Sequence, residues 1–287
     1  MTRIRTWCLV GALAQSVVIS AQTLPEPRRQ FGASVTGAFE GWYEEASGTR
    51  GFLVGYYNRN TQEELDIPIG PNNRIEPGGP DLGQPTHFLP TRRFGMFAIP
   101  VPKGFTPDDK LTWTIMANGK STSIPLRLNP DYLISPFSEI AVNNTPPTLK
   151  FEENGPVLQG PVATLANAAE RMASLPEPLS ITVWVTDDMK FTSDTNAPMA
   201  TPRPPVTLAW SKYRGPGSVT FDKAAPAVEK TASDGNVAFS GKATVTARFS
   251  EAGDYVLHVT ANDYSGDGGG GFQCCWTTGL VKVSVKP

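Results

Sequence analysis

The stretch from Pro205 to Gly266 constrains this chain most, because it spells strand, turn and strand twice over. Val206, Leu208 and Trp210 alternate onto one face of an extended strand. Arg214, Gly215, Pro216 and Gly217 then supply a turn, and Ser218 to Phe221 open the next strand. The pattern returns with Val245, Ala247 and Phe249, a turn at Glu251 to Asp254, and a second alternating set, Tyr255, Leu257, Val259 and Ala261. Strands with one apolar face must hide it against another sheet, which predicts a two-layer sandwich. Gly253 and Tyr255, two apart at the start of the last strand, match a tyrosine corner, in which the phenol returns to backbone near the turn.

These landmarks predict an immunoglobulin-like fold. The runs Trp210-Ser211-Lys212, Gly215 to Phe221, Phe249 to Leu257 and Thr260-Ala261-Asn262-Asp263 resemble PKD-type domains, especially the K319/REJ-like branch of bacterial surface and secreted proteins. Asn144-Thr145-Pro146-Pro147 and Val185-Thr186-Asp187-Asp188 fit the same pattern. The resemblance spans roughly residues 144 to 286. It implies a spacer or an adhesive or binding module and carries no catalytic residues. Two segments depart from it: an insertion-like stretch after Asp188, and the Gly-rich run leading to Cys274 and Cys275.

The first 21 residues read as a cleaved secretory signal peptide, with Arg3 and Arg5 ahead of an apolar run from Trp7 to Ile19 and small residues at Ser20 and Ala21. Cys8 lies in that run without the Leu-x-x-Cys context of a lipid anchor, and no second apolar segment follows. The mature chain is therefore expected to be exported, periplasmic or extracellular, with no transmembrane segment. Its Gly and Pro content, 27 of each, and its 18% charged residues favour β structure. Losing Arg3 and Arg5 moves the formal charge from −2 to −4, which argues against nucleic acid as a partner. The fold class expected is all-β: two tandem β-sandwich domains after the signal peptide. Residues 22–30 form a loose lead, 31–140 an N-terminal sandwich-like domain, 141–147 a Pro-rich linker, and 148–287 the PKD-like domain.

In the first domain, strands are expected at Ser34–Tyr43, Gly51–Asn58, Leu65–Ile69, Arg93–Pro100, Leu111–Ala117 and Ser121–Asn129, with Asn118-Gly119 as a hairpin turn. Pro71 to Pro90 reads as a long irregular loop carrying Arg74, Glu76, Asp81 and His87. Trp42 and Tyr43, then Tyr56 and Tyr57, are adjacent pairs, so each pair sends one ring inward and leaves the other able to stack on a sugar or a partner protein. In the second domain, Asn167 to Ser174 has helical propensity, Leu179–Thr186 is strand B with Trp184 on the face opposite Ile181, Val183 and Val185, and 188–205 is an irregular insertion.

Chemistry is sparse. In an immunoglobulin-like sandwich the B–C and F–G loops share one end, so Asp187, Asp188, Asp263 and Asp267 can converge there as hard oxygen ligands for calcium, or serve as turn formers. The spacing of a Ca-binding loop motif is absent. Cys274 and Cys275 can form a vicinal disulfide, pair between chains or stay as thiols; the flexible glycines at 266 and 268–271 favour the first. His258 is expected to face outward from strand F, and His87 lies in the other domain. No Gly-x-Ser-x-Gly, His-Glu-x-x-His or phosphate-cradling motif occurs. The function expected is therefore a non-enzymatic binding or structural module contacting an envelope protein or glycan, with no cofactor unless calcium binds. The competing expectation is an enzyme or metalloprotein with a site between the domains, built from the Pro71–Pro90 loop and the aspartate pole.

Overall fold

The computed structural model describes residues 26–139, 143–190, 204–233, 237–263 and 274–287. Apart from two single turns of 3-10 helix, Pro130–Tyr132 and Leu165–Asn167, every regular element described is a strand. No helix among the described residues is long and apolar enough to cross a membrane.

The N-terminal half contains β1 (Val35–Glu44), β2 (Arg50–Asn58), β3 (Leu65–Asp66), β4 (Asn73–Glu76), β5 (His87–Phe88), β6 (Thr91–Pro100), β7 (Leu111–Ala117) and β8 (Lys120–Leu126). They form sheets β1-β2-β6 and β4-β7-β8 and the small pair β3-β5. The first two close over a core of Phe52, Val54, Tyr56, Ile75, Phe97, Trp113 and Ile115. Asn118 and Gly119 both have positive φ, the backbone that a two-residue hairpin between β7 and β8 needs. The expected strand over Leu65–Ile69 stops at Asp66, two residues before Pro68, whose ring nitrogen has no hydrogen to give a ladder.

The 71–90 segment departs from the irregular loop expected of it. It contains β4, which joins β7, and β5, which joins β3. Asn73 organises it: fully buried, it donates to the carbonyls of Ile67 and Pro85 at 2.9 and 2.8 Å and accepts from the Trp113 indole at 3.0 Å.

The C-terminal half contains β9 (Thr148–Lys150), β10 (Leu158–Gln159), β11 (Ala169–Ser174), β12 (Leu179–Asp187), β13 (Thr207–Arg214), β14 (Val219–Phe221), β15 (Glu229–Lys230), β16 (Phe239–Phe249), β17 (Gly253–Asn262) and β18 (Trp276–Lys286). One sheet runs β10-β9-β12-β16-β14, with β15 also on β16; the other runs β11-β18-β17-β13. The alternating residues singled out in the sequence meet between these sheets, Ile181, Val183 and Val185 against Leu208, Trp210, Tyr255, Leu257 and Val259. Each such buried aliphatic side chain contributes roughly 1.5–3 kcal/mol relative to exposure. Tyr255 closes the corner as expected, donating to the Glu251 carbonyl at 2.9 Å and accepting from Gly217 N–H at 3.1 Å.

Residues 169–174 are a strand, not the helix their composition suggests. They pair in parallel with β18 and turn Ala169 and Ala173 toward the core. An unpaired edge of β18 satisfies their backbone groups while a two-turn helix would bury little, so the tertiary pairing overrides local propensity. The expected linker is held in place where it is described. Asn144, Pro146 and Pro147 are buried, and the carbonyls of Pro146 and Pro147 accept from the Gln159 and Thr277 side chains.

Part of the outer face of the β11-β18-β17-β13 sheet is covered as well. Val256 and Leu280 join the core of the N-terminal half, and Trp276 packs with Tyr43, Leu53 and Ala98. His258 does point away from its own sandwich core, yet it is 2% exposed and stacks on Tyr213 with ring centroids 5.9 Å apart. The outward face expected of His258 is covered by the other half of the chain, which lies on it.

Candidate functional site

Two places gather the polar residues. The first is a cleft of about 400 Å³ between the halves, bordered by Glu64, Asp66 and His87 on one side and by Ser211, Lys212 and Gly217 on the other. The β3-β5 pairing sets Asp66 directly opposite His87. The His87 ring, 8% exposed, has Nδ1 at 3.0 Å from Asp66 Oδ1 and Nε2 at 3.2 Å from Glu64 Oε2. Lys212 Nζ, from the opposite half, reaches the same Asp66 oxygen at 2.9 Å. Both imidazole nitrogens thereby lie within hydrogen-bond distance of carboxylates.

Beside the cleft, the 81–87 segment lies along β13, an edge strand that would otherwise present unpaired backbone. A register shift falls between Lys212 and Arg214, and both Tyr213 and Arg214 reach the N-terminal half. Tyr213 donates to the Gly83 carbonyl at 2.5 Å, and Thr86 N–H donates to the Tyr213 carbonyl at 3.1 Å. Arg214 forks onto Asp81 and also donates to the Gln84 carbonyl. The Arg214 guanidinium holds the Asp81 carboxyl below its usual range.

The second place is the pole where β12 and β17 end. Asp187 and Asp263 are 4% and 8% exposed, and Asn144 from the segment before β9 is fully enclosed. Asn144 Nδ2 donates to Asp263 Oδ2 at 2.8 Å, and Met189 N–H donates to Asp187 Oδ2 at 2.8 Å. Asp187 Oδ1 and Asn144 Oδ1 are buried acceptors with no donor. Burial pushes the Asp187 carboxyl up to about 7, with the Asp263 and Asp188 charges adding to it and the Met189 amide opposing. Asp188 behaves as a turn former: its Oδ2 accepts from Thr145 N–H and hydroxyl at 3.2 and 3.0 Å, and its Oδ1 from Lys190 N–H at 3.0 Å. Asp267 lies outside the described residues. Among the described residues, no three His, Cys, Asp or Glu side chains are grouped as a ready metal set.

The two places do not share a cavity. Neither Asp187 nor Asp263 borders the His87 cleft. Along β13, Lys212 is five residues from Thr207, the partner of Asn262, a rise of roughly 17 Å. Among the described residues, the Pro71–Pro90 loop and the aspartate pole therefore border no common cleft.

Of the four aromatics singled out, Tyr43 and Tyr56 are enclosed, 3% and 0% exposed. Tyr56 donates nothing to solvent; its hydroxyl accepts from Leu89 N–H at 2.9 Å. Their neighbours stay partly open. Trp42 donates its indole N–H to the Asn129 carbonyl at 2.7 Å, and Tyr57 lies under the Arg59 guanidinium, 5.0 Å from the ring centroid. Cys274 and Cys275 are joined in a disulfide, and both are buried. Lys212 and Arg214, which knit the halves together, are not singled out by sequence; the strand and the turn in which they are read give no sign of a distant partner.

No family model matches the chain, and no curated protein matches it. Among solved structures, a titin substructure is similar at 14% identity over 88% of this chain and 99% of its own, with a TM-score of 0.24. Domains 4 and 5 of the S-layer protein SbsC are similar at 10% identity over 89% and 98%, with a TM-score of 0.23. Cadherin-like domains 1 to 4 of zebrafish RET are similar at 10% identity over 82% of this chain and 47% of that one, with a TM-score of 0.28.

Proposed function

We propose that this chain is an exported, non-enzymatic binding or structural module of the bacterial envelope or extracellular space, a signal peptide followed by two β domains, at residues 31–140 and 148–287, docked as one body. The PKD or K319/REJ-like assignment of the second domain is part of that reading and rests on the residue pattern together with the closed tyrosine corner. One observation carries the reading. The side chains that look most chemical, His87, Asp66, Lys212, Asp81 and Arg214, are spent on one another across the junction. A junction tied this way suits a rigid arm that presents surface to a protein or glycan and does not suit turnover.

Expression with the native leader tests it. The recovered chain should begin at Gln22, fractionate outside the cytoplasm, bind isolated envelope glycan or protein, and show both halves tumbling as one body in NMR relaxation. An uncleaved chain held in the cytoplasm, or halves that tumble independently, would overturn the proposal.

The aspartate pole favours a second reading, in which calcium braces the loops. Two enclosed acceptor oxygens without donors, beside two buried carboxylates, are what a hard cation would satisfy. Asp187, Asp263 and the Asn144 amide oxygen would hold it, with Asp188 and Asp267 as neighbours. Calorimetry with calcium chloride on the mature chain should show saturable heat that Asp187→Asn removes; no heat, with melting indifferent to chelator, sinks this reading.

A further inference from the structure

The 3-10 turn Pro130–Tyr132 carries a row of exposed side chains on the N-terminal half. Tyr132 is 50% exposed and Leu133 56%, and Pro130 and Asp131 are exposed beside them. Exposure of a single aromatic ring is ordinary on a loose loop. This turn is not loose. Asn129 caps it, accepting from Asp131 N–H at 3.0 Å through its side chain and from Tyr132 N–H at 2.9 Å through its carbonyl. The same carbonyl accepts the Trp42 indole N–H at 2.7 Å. Past Leu133, Ile134 N–H donates to the Trp42 carbonyl at 2.9 Å, so β1 holds the turn from both ends.

The tyrosine ring is held as well. Phe105, Phe52, Phe39 and Tyr132 form a ladder of ring contacts from the core to the surface, with successive centroids 5.6, 5.8 and 5.6 Å apart. Phe39 supports Tyr132 at a tilt of 37°, and the rest of the tyrosine ring meets solvent. An aromatic side chain kept in water on a fixed turn loses little freedom when a flat ligand lies against it. Its negative ring face attracts the slightly positive axial C–H bonds of a pyranose, and Leu133 and Pro130 widen the apolar contact. An ionised Asp131 carboxylate only accepts hydrogen bonds, so it suits the hydroxyl groups at the rim of such a sugar. That carboxylate and the formal net charge of −2 both disfavour an anionic sugar.

We propose that the turn from Pro130 to Leu133 is a glycan-binding platform, on which Tyr132 stacks against an uncharged pyranose unit of an extended glycan and Asp131 accepts its hydroxyls. The platform rests on the envelope-module reading for the source of its ligand and names the surface through which that module meets glycan. Neither the His87 cleft nor the aspartate pole takes part.

The test uses the intact mature chain, with N-acetylchitohexaose as the uncharged probe and a galacturonate hexamer as its anionic counterpart. Titration followed by NMR should move the Tyr132 ring resonances saturably with the first, and the second should bind at least about tenfold more weakly. Tyr132→Ala, checked for an unchanged melting curve, should weaken the uncharged hexamer by a similar factor, whereas Tyr132→Phe keeps the ring and the binding. Should the alanine variant melt lower, the wild-type comparison of the two hexamers still decides. Equal binding of both hexamers, no movement of the Tyr132 signals, or a phenylalanine variant as weak as the alanine one would each overturn the proposal. Isolated envelope glycan separates the platform from the module reading. Undiminished binding by Tyr132→Ala overturns the platform alone, and a wild type that binds the uncharged hexamer but no envelope fraction keeps the platform and removes the module reading.

Discussion

Arg214 grips Asp81 with two nitrogens, at 2.9 and 2.8 Å, across a separation of 133 residues. The fork fixes the 81–87 segment against the edge of β13, and with it the angle between the two halves. Arg214 is 15% exposed at its side chain and Asp81 42%, so solvent discounts the charge pair itself to about 0.5–1 kcal/mol. Arg214→Ala also strips the donors from the Gln84 carbonyl and should cost more, about 1–3 kcal/mol in urea unfolding. A double-mutant cycle with Asp81→Ala isolates the pair; a coupling near zero would show that the fork is incidental.

The same pair has an acid signature. The Asp81 carboxyl is held low in the folded chain chiefly by Arg214, so its contribution is fully present above the unfolded carboxylate range, near 4. It is lost as pH falls through the lower folded value. Asp81→Asn should flatten that part of the acid-unfolding curve, measured by fluorescence against the wild type.

Asp187 has the opposite sign. Its folded value, about 7, stands above the unfolded value near 4, so the folded state loses stability as pH rises from about 4 to 7 and no more above that. Asp187→Asn should remove this slope and raise the melting temperature at pH 8 in chelator. Calcium should do the same for the wild type if the pole binds it. A wild-type curve flat between those pH values would show the carboxyl to be unperturbed.

Tyr255→Phe keeps the ring in the core and deletes only the hydroxyl that links Glu251 and Gly217. A loss of about 0.5–1.5 kcal/mol is expected, rising toward 3 if the Glu251 carbonyl stays dry. Chemical denaturation with an unchanged m-value is the measure; a neutral substitution would mean that water replaces the hydroxyl.

Gly95 tests the packing between the halves. Its φ is +46°, and a β-carbon there would fall 2.5 Å from Trp276 Cζ2. Gly95→Ala should therefore displace the indole and cost about 1–3 kcal/mol by overpacking. An unchanged melting temperature would show that Trp276 can give way.

The sequence by itself determined the second sandwich: the period of two at Val206, Leu208 and Trp210 and at Tyr255, Leu257 and Val259 is a local property of strands with one buried face, and Tyr255 carries its own partner four residues away in Glu251. It also placed Asp187 and Asp263 near one pole, because strand order alone sets which loops share an end. What it could not determine is which outward faces stay outward. His258 reads only as outward-facing, and Lys212 and Arg214 carry no signal at all, because their partners, Met96, Asp66 and Asp81, lie more than a hundred residues away and leave no period in the chain. Residues 169–174 mislead for the same reason: their backbone is satisfied by β18, at the far end of the sequence, and that pairing outweighs the few tenths of a kcal/mol per residue that separate helix formers from the rest. Only the tertiary structure decided that two sandwiches would share a buried layer, since burial between sheets depends on shape and contact across the whole chain and not on any stretch of it.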